Sequence, residues 1–194
     1  MFIKNWKKEI FTIPNLLSLF RLLLIPVYVL IYLNATEPSD YYLSASILAV
    51  SCMTDLIDGK VARHFHMIST LGKILDPLAD KATQFTLIIC LTMRYPILKH
   101  LVALFVLKES FQLIAGGITL HKGMMLEGAL LPGKICTTVL FVSLILLVML
   151  PQIPYRYVVL ITAIDAAFMI FAFGSYIWAY FGNSKKIHDL SEYE

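Results

Sequence analysis

Six long apolar segments constrain the fold of this chain more than any other feature of its sequence. The first, residues 14–33, holds a single charged residue, Arg21. An apolar stretch of about twenty residues is long enough to cross the hydrocarbon core of a bilayer as a helix. Hydrophobic residues make up 59% of the 194 positions and the mean hydropathy is +0.77, more than a soluble domain of this length can bury. We therefore predict a single all-α integral membrane domain.

Turn-forming residues between the apolar segments set approximate boundaries for six transmembrane helices. Pro14 suits a first helical position, and Pro96 and Pro151 mark turns. The predicted helices are 14–33, 41–63, 72–93, 97–120, 134–150 and 155–181. Residues 1–10 place apolar side chains on one helical face and lysines on another, which predicts a short interfacial helix. Residues 182–194 are predicted to form a polar tail.

The distribution of basic residues predicts the orientation in the membrane. Six spans place both termini on one side, and ten lysines and arginines lie near the span ends on that side against three on the other. The first set is therefore predicted to be cytoplasmic. The net charge of +3 is too small to indicate a nucleic-acid partner. Cys52, Cys90 and Cys136 lack the spacing of metal ligands and are predicted to pack as small apolar residues.

Four aspartates lie close together in the sequence, where the second predicted helix ends and the third begins. Asp55 and Asp58 are three residues apart, and Asp76 and Asp80 are four apart, so each pair shares one helical face. Clustered carboxylates repel one another unless cations neutralise them. Oxygen-only donors suit Mg²⁺, Mn²⁺ or Ca²⁺, and two such ions assist displacement at phosphorus. The alternative for each aspartate is an interfacial ion pair with a nearby basic residue: Arg63, Lys73 or Lys81.

The segment that carries these aspartates resembles the signature of the CDP-alcohol phosphatidyltransferases. Asp55-x-x-Asp58-Gly59-x-x-Ala62-Arg63 is followed after eight residues by Gly72-x-x-x-Asp76-x-x-x-Asp80. PNLLSLFR in helix one, LDPLADK in helix three and PGK at helix five extend the resemblance over most of the chain. It implies a six-helix membrane enzyme of phospholipid biosynthesis.

The resemblance also implies roles for individual residues. Asp55, Asp58, Asp76 and Asp80 would hold two divalent cations, Mg²⁺ or Mn²⁺, and Asp80 would also act as the catalytic base. The CDP-lipid donor, CDP-diacylglycerol, would be bound by residues from helix one and from the motif segment: Asn15, Ser18, Asp58, Gly59, Arg63, Ser69, Thr70 and Gly72. An acceptor hydroxyl would attack the lipid-proximal phosphorus, and CMP would leave.

The acceptor is less constrained by the sequence. Four basic residues at or near the spans are candidates for binding a phosphate on the acceptor: Arg21, Lys81, Lys108 and Lys134. The chain most resembles the phosphatidylglycerophosphate synthase branch, whose acceptor is glycerol 3-phosphate. That branch often carries Arg-Glu on helix four, where this chain has Lys108-Glu109. Cardiolipin synthesis from phosphatidylglycerol stays open, as does an inositol phosphate acceptor.

Two other classes of function are alternatives to the enzyme. A divalent-metal transporter would need ionisable residues near mid-membrane and broken helices there, whereas most acids here gather at one interface. Asp165, within helix six, is the exception, and the sequence assigns it no role beyond pairing with an interior cation or polar group. A structural scaffold does not explain four matched carboxylates. Small residues on helices four and six permit close helix contact. The resemblance implies a homodimer, and packing within one chain explains the same residues equally well.

Overall fold

Six long helices account for nearly all of the described chain. The structure, a computed structural model, describes residues 13–64, 72–121, 124–126, 130–182 and 187–189. Side chains are described there except at 13–14, 55–64, 72–74, 76, 124–126 and 187–189. The helices are α1 (Ile13–Leu33), α2 (Pro38–His64), α3 (Gly72–Arg94), α4 (Lys99–His121), α5 (Leu131–Met149) and α6 (Tyr155–Phe181), with a 3₁₀ turn at Pro96–Leu98.

The predicted boundaries agree with these helices to within three residues. The largest differences are at the N-termini of α2 and α5, which begin at Pro38 and Leu131 rather than at 41 and 134. In each case a proline lies in the first turn, where its missing N–H has no intrahelical partner to lose. The predicted interfacial helix at 1–10 lies outside the described residues. A polar loop is predicted at 64–71, but His64 ends α2, and residues 65–71 lie outside the described part of the chain.

Four of the six helices are long and apolar enough to cross a membrane. They are Asn15–Leu33, Pro96–His121, Leu131–Met149 and Tyr155–Phe181. The other two, α2 and α3, carry the aspartate motif and its basic neighbours, which lower the hydropathy of any window that includes them. The prediction of a membrane protein is supported, whereas six complete spans stay a prediction.

Two short strands lie outside the predicted helices, one between the fourth and fifth helices and one in the predicted polar tail. β1 (Met124–Leu126) follows α4, and β2 (Ile187–Asp189) follows α6. They pair antiparallel, with Met125 opposite His188. Three-residue strands show no useful hydrophobic periodicity, so the sequence pattern could not indicate them.

The helices belong to two compact units, Met1–Leu91 with Ile145–Pro151 and Thr92–Leu144 with Gln152–Glu194. In the first unit, α1 packs against α2 across a short connection. The rings of Tyr28 and Tyr32 stack 5.5 Å apart, and Tyr41 meets Tyr32 edge-on at 5.6 Å. The Asp40 carboxylate stabilises this connection, because its Oδ2 accepts hydrogen bonds from the backbone N–H groups of Thr36 and Glu37. These hydrogen bonds, from Glu37 first and then Thr36, hold the pKa of Asp40 below its ordinary value.

In the second unit, α4 packs against α6 through aromatic side chains. Phe111 of α4 meets Phe173 edge-on at 5.2 Å and Tyr180 at 6.1 Å. One turn of α6 away from Tyr180, the buried Tyr176 packs with Leu130, the residue that precedes α5. This cluster connects the start of α5 with α4 and α6 inside the unit.

Packing inside the first unit gives a prediction for stability. Leu87 of α3 is fully buried, whereas Leu78 on the same helix is 56% exposed. We expect Leu87→Ala to cost about 2 kcal/mol or more, because truncation of a buried leucine leaves a cavity. Leu78→Ala, the matched control, should cost little. Thermal unfolding in detergent measures both, and equal midpoints for the two variants would contradict this packing.

Candidate active site

A buried polar stripe runs along the first half of α1. Asn15 is 1% exposed, and Ser18 and Arg21 are each 2% exposed. Their spacing of three residues keeps them on one face of the helix. A lipid-facing polar stripe would be costly, so its burial within the first unit fits a site rather than a membrane anchor. Asn15 and Ser18 were both predicted to bind the donor nucleotide, and the stripe places Arg21 beside them.

Arg21 connects this stripe to the aspartate motif. Its guanidinium Nη1 donates a hydrogen bond to Oδ1 of Asp80, and the two side chains form an ion pair between α1 and α3. Arg21 is buried, whereas the side chain of Asp80 is 47% exposed. A buried arginine requires such a partner, and the open carboxylate remains within reach of a ligand. The sequence suggested Arg63, Lys73 and Lys81 as ion-pair partners for the aspartates, and Arg21 as a phosphate ligand.

The other three aspartates of the motif lie on the helices that flank this pair. Asp55 and Asp58 lie in the last three turns of α2, and Asp76 lies one turn before Asp80 on α3. The described side chains alone contain no group of three possible metal ligands, and the side chains of Asp55, Asp58 and Asp76 fall outside them. A set of carboxylate oxygens on two helices of one unit fits a hard divalent cation.

A narrow apolar crevice opens between α1, α2 and α3 near the ion pair. On α1 it reaches Tyr28, seven residues or about 10 Å beyond Arg21. On α3 it begins at Thr83, less than one turn beyond Asp80, and on α2 it ends at Ser51, four residues before Asp55. The crevice therefore continues from the aspartate motif toward the apolar part of all three helices. Its lining residues are Leu24, Ile25, Tyr28, Ile47, Leu48, Ser51, Thr83, Thr86 and Leu87.

The remaining basic candidates differ in their surroundings. Lys81 is half-buried next to Asp80 in the first unit. Lys108 lies in the second unit, is 3% exposed, and its Nζ is 2.6 Å from Oε1 of Glu109. Lys134, in the same unit, is exposed in the first turn of α5. The structure thus pairs Arg21 with Asp80, which lies 59 positions away in the chain. Lys108 instead pairs with Glu109, its immediate neighbour in the sequence.

Asp165 is buried in the middle of α6, at 2% exposure. Thr162 and Met169 lie on the same buried face, and Ser143 of α5 is a polar neighbour. Within the described part of the chain, neither carboxylate oxygen has a hydrogen bond of normal geometry. Asp165 lies in the second unit, whereas the aspartate motif lies in the first.

Several predicted donor-binding residues are only partly described. Asp58, Gly59 and Arg63 belong to α2, and Gly72 begins α3, but nothing is described of the space around them. Ser69 and Thr70 lie outside the described residues. The contact that the sequence missed is the Arg21–Asp80 pair. An arginine in an otherwise apolar span was the available signal, because such a charge needs an interior partner.

Comparison with known proteins gives a consistent result. A family model described as CDP-alcohol phosphatidyltransferase matches residues 11–178. A CDP-diacylglycerol–glycerol-3-phosphate 3-phosphatidyltransferase of Aquifex aeolicus is 39% identical over 137 residues, which cover 70% of this chain and 73% of that protein. The Escherichia coli K12 protein of the same name is 38% identical over 85 residues, or 44% of this chain and 46% of its own length.

Cardiolipin synthases are also among the relatives. One from Streptomyces coelicolor is 32% identical over 117 residues, which cover 59% of this chain and 54% of that protein. A cardiolipin synthase and mitochondrial hydrolase fusion protein of Schizosaccharomyces pombe is 42% identical over 90 residues, or 45% of this chain. The match spans only 14% of that fusion protein.

Proposed function

Because the chain belongs to the CDP-alcohol phosphatidyltransferase family, we propose that it transfers the phosphatidyl group of CDP-diacylglycerol to glycerol 3-phosphate and releases CMP. The observation that carries this proposal is the Arg21–Asp80 ion pair, which joins the buried polar stripe of α1 to the last aspartate of the motif. A partly exposed carboxylate held by a buried arginine is suited to bind an acceptor hydroxyl at a fixed position.

The proposed reaction uses Asp80 as the general base. The acceptor hydroxyl oxygen bonds to the lipid-proximal phosphorus as its proton passes to the Asp80 carboxylate. The bond between that phosphorus and the bridging oxygen breaks, and CMP departs with the bonding electrons. Arg21 fixes the orientation of Asp80 through Oδ1. Asn15 and Ser18, on the same face of α1, are placed to bind polar groups of the nucleotide.

Members of this family generally depend on a divalent metal. We propose that Asp55, Asp58, Asp76 and Asp80 hold two such ions, Mg²⁺ or Mn²⁺, because their donors are carboxylate oxygens on adjoining helices. When bound, the ions supply positive charge that stabilises the phosphates during transfer. Gly59, Arg63, Ser69, Thr70 and Gly72 are proposed to complete the donor site.

The lipid part of the donor is proposed to lie against α1, α2 and α3 at the mouth of the narrow crevice between them. Leu24, Leu48 and Leu87 provide an apolar lining that begins within about two helical turns of the Arg21–Asp80 pair. This arrangement would let the pyrophosphate lie at the carboxylates while the start of an acyl chain contacts hydrocarbon side chains. The nucleotide of the bound donor would then face water, and its acyl chains would face the bilayer.

The acceptor phosphate is proposed to bind Lys134 first among the four basic candidates, which are Arg21, Lys81, Lys108 and Lys134. Lys134 is exposed at the start of α5, and its positive charge lies where the backbone N–H groups of the helix also favour an anion. Lys108 is buried and already neutralised by Glu109 at 2.6 Å, so its contribution would be smaller. Lys81 and Arg21 lie in the first unit beside Asp80.

The proposed setting is a membrane, with the aspartate motif at the cytoplasmic face and all six helices spanning. The four helices of spanning length and the predicted excess of basic residues on one side support it. A homodimer is also proposed. Gly117 of α4 is exposed, and a side chain there would meet no described atom within 4 Å, which leaves room for a neighbouring helix.

The acceptor can be identified by incubating the purified protein with CDP-diacylglycerol, Mg²⁺ and one acceptor at a time, and by reading the lipid products by mass. We expect phosphatidylglycerophosphate from glycerol 3-phosphate. Lys134→Ala should raise KM for glycerol 3-phosphate about tenfold and KM for the lipid donor less than twofold, because one charge-assisted contact is lost. Equal changes in both constants would contradict the role given to Lys134.

The second candidate is a cardiolipin synthase, which the relatives from Streptomyces coelicolor and Schizosaccharomyces pombe favour. Its acceptor, phosphatidylglycerol, brings a phosphodiester and two acyl chains to the site. Cardiolipin as the only product of the acceptor panel would therefore replace the first proposal by the second.

A further inference from the structure

Tyr176 of α6 joins two other helices of the second unit through its hydroxyl. The side chain is buried at 4% exposure. Its hydroxyl lies within interaction range of the side chain of Gln112 on α4 and of the backbone of Leu130, immediately before α5. Leu130 in turn accepts the backbone N–H of Lys134 at 3.0 Å. Tyr176 therefore packs against the residue from which the first turn of α5 begins.

The Tyr176 ring also lies directly against that first turn. A Cβ atom added at Gly133 would lie 2.9 Å from Cε2 and 3.0 Å from Cζ of Tyr176, and closer still to its hydroxyl oxygen. These separations are too short for any side chain, so Gly133 is required by the close approach of the tyrosine. Lys134 follows Gly133 in the chain, and the ring thus fixes the backbone on which Lys134 is carried.

The same hydroxyl is connected to the charged turn of α4. Gln112 lies one turn after Lys108 on α4, on the same face. Glu109, which pairs with Lys108, lies within electrostatic range of the Tyr176 hydroxyl. Tyr176 and Gln112 therefore lie, inside one unit, between the Lys108–Glu109 pair and the start of α5.

We infer that Tyr176 is a positioning residue for the acceptor end of the reaction: it fixes the first turn of α5 so that Lys134 can bind the acceptor phosphate. The inference rests on the proposed function, since that function assigns the phosphate to Lys134. Tyr176 does not itself contact the acceptor. It acts through Leu130 and Gly133 on the position of Lys134.

The substitution that tests this role is Tyr176→Phe, which keeps the ring and removes only the hydroxyl. The matched control is Tyr180→Phe, one turn further on α6 in the same aromatic cluster. We expect Tyr176→Phe to raise KM for glycerol 3-phosphate about five- to tenfold, with kcat and KM for CDP-diacylglycerol within about twofold of wild type. Tyr180→Phe should leave all three constants within about twofold. Unchanged acceptor KM in Tyr176→Phe, or an equal rise in the control, would overturn the inference.

A double-mutant cycle separates positioning from a general loss of structure. If Tyr176 acts through Lys134, then Tyr176→Phe should raise the acceptor KM no further in a Lys134→Ala background. Additive effects of the two substitutions would show that the tyrosine acts elsewhere.

Amide hydrogen exchange tests the same step without any turnover. Tyr176→Phe should speed exchange in residues 131–136 about fivefold or more, while Tyr180→Phe leaves it unchanged. Wild-type exchange in Tyr176→Phe would refute the inference whatever the acceptor. Absence of phosphatidylglycerophosphate from the wild-type protein, with exchange altered as expected, would instead reject the proposed function and keep Tyr176 as the residue that holds α5.

Discussion

Asp80→Asn should reduce CMP release from CDP-diacylglycerol by about a thousandfold, because general-base catalysis contributes roughly 10²–10⁴ to the rate. The amide keeps the shape of the carboxylate and can still accept the hydrogen bond from Arg21. It cannot take a proton from the acceptor hydroxyl, and it is a poor ligand for a hard cation. Release of labelled CMP measures the loss directly.

The matched control for Asp80→Asn is Asp40→Asn. Asp40 is an aspartate of the same unit whose hydrogen bonds favour its ionised form, so the substitution removes an equivalent charge at a connection between helices. Its turnover should stay within about twofold of wild type. Because Asp80→Asn also removes the ion pair between Asp80 and the buried Arg21, its thermal midpoint should be recorded alongside. A folded Asp80→Asn protein with near-wild-type turnover would remove Asp80 as the base.

Asp55→Asn, Asp58→Asn and Asp76→Asn should each abolish turnover while the protein stays folded in detergent. These positions have no assigned proton-transfer step, so loss of turnover at Asp55 and Asp76 points to cation binding, whereas loss at Asp58 also reflects its predicted contact with the donor. Near-wild-type turnover in any two of the four aspartate variants would refute the metal-site assignment.

Thorough chelation should lower turnover by about a hundredfold or more, and added Mg²⁺ or Mn²⁺ should restore it. The physical reason is the charge of the site. In the proposed site, four carboxylates would lie near a pyrophosphate donor and a phosphorylated acceptor, and Arg21 would offset only part of that negative charge. The experiment compares the EDTA-treated protein before and after dialysis against each cation.

Chelation needs a control for the stability of the protein. The melting midpoint of the chelated protein should be measured together with its turnover, because lost activity from unfolding would not be recovered by re-addition of the ion. Turnover that persists after chelation would contradict the proposed two-ion site, even if all four aspartates proved essential.

The helices were largely predictable from the sequence, and the contacts between them were not. Apolar runs of bilayer length define α1, α4, α5 and α6 because lipid imposes one length on every span. The start of α5 was predicted three residues too late, at 134 instead of Leu131. Pro132 and Gly133 resemble loop residues, although a proline is compatible with the first turn of a helix. The two strands pair residues more than sixty positions apart over three residues each, which no local pattern encodes.

In the candidate site too, features set by helical geometry were predictable from the sequence, and contacts between helices were not. The spacing of Asp55, Asp58, Asp76 and Asp80 could be recognised because helical geometry converts it into two faces. The partner of Asp80 could not, since Arg21 lies 59 positions away on another helix. From the sequence alone, several basic residues near the motif were equally plausible ion-pair partners for Asp80. Tyr176 was hidden for a related reason: the close approach to Gly133 exists only after α5 and α6 have packed.

The antiparallel ladder of β1 and β2 has a consequence for how the protein is made. β2 follows all six helices in the chain, whereas β1 lies between the fourth and the fifth. During translation, β1 therefore leaves the ribosome well before β2. The backbone N–H and C=O groups of β1 cannot form their ladder hydrogen bonds until the last helix has been made. The ladder can close only at the end of biosynthesis, so a fusion that keeps residues 187–189 from folding back would leave the α4–α5 connection incomplete in an otherwise inserted protein.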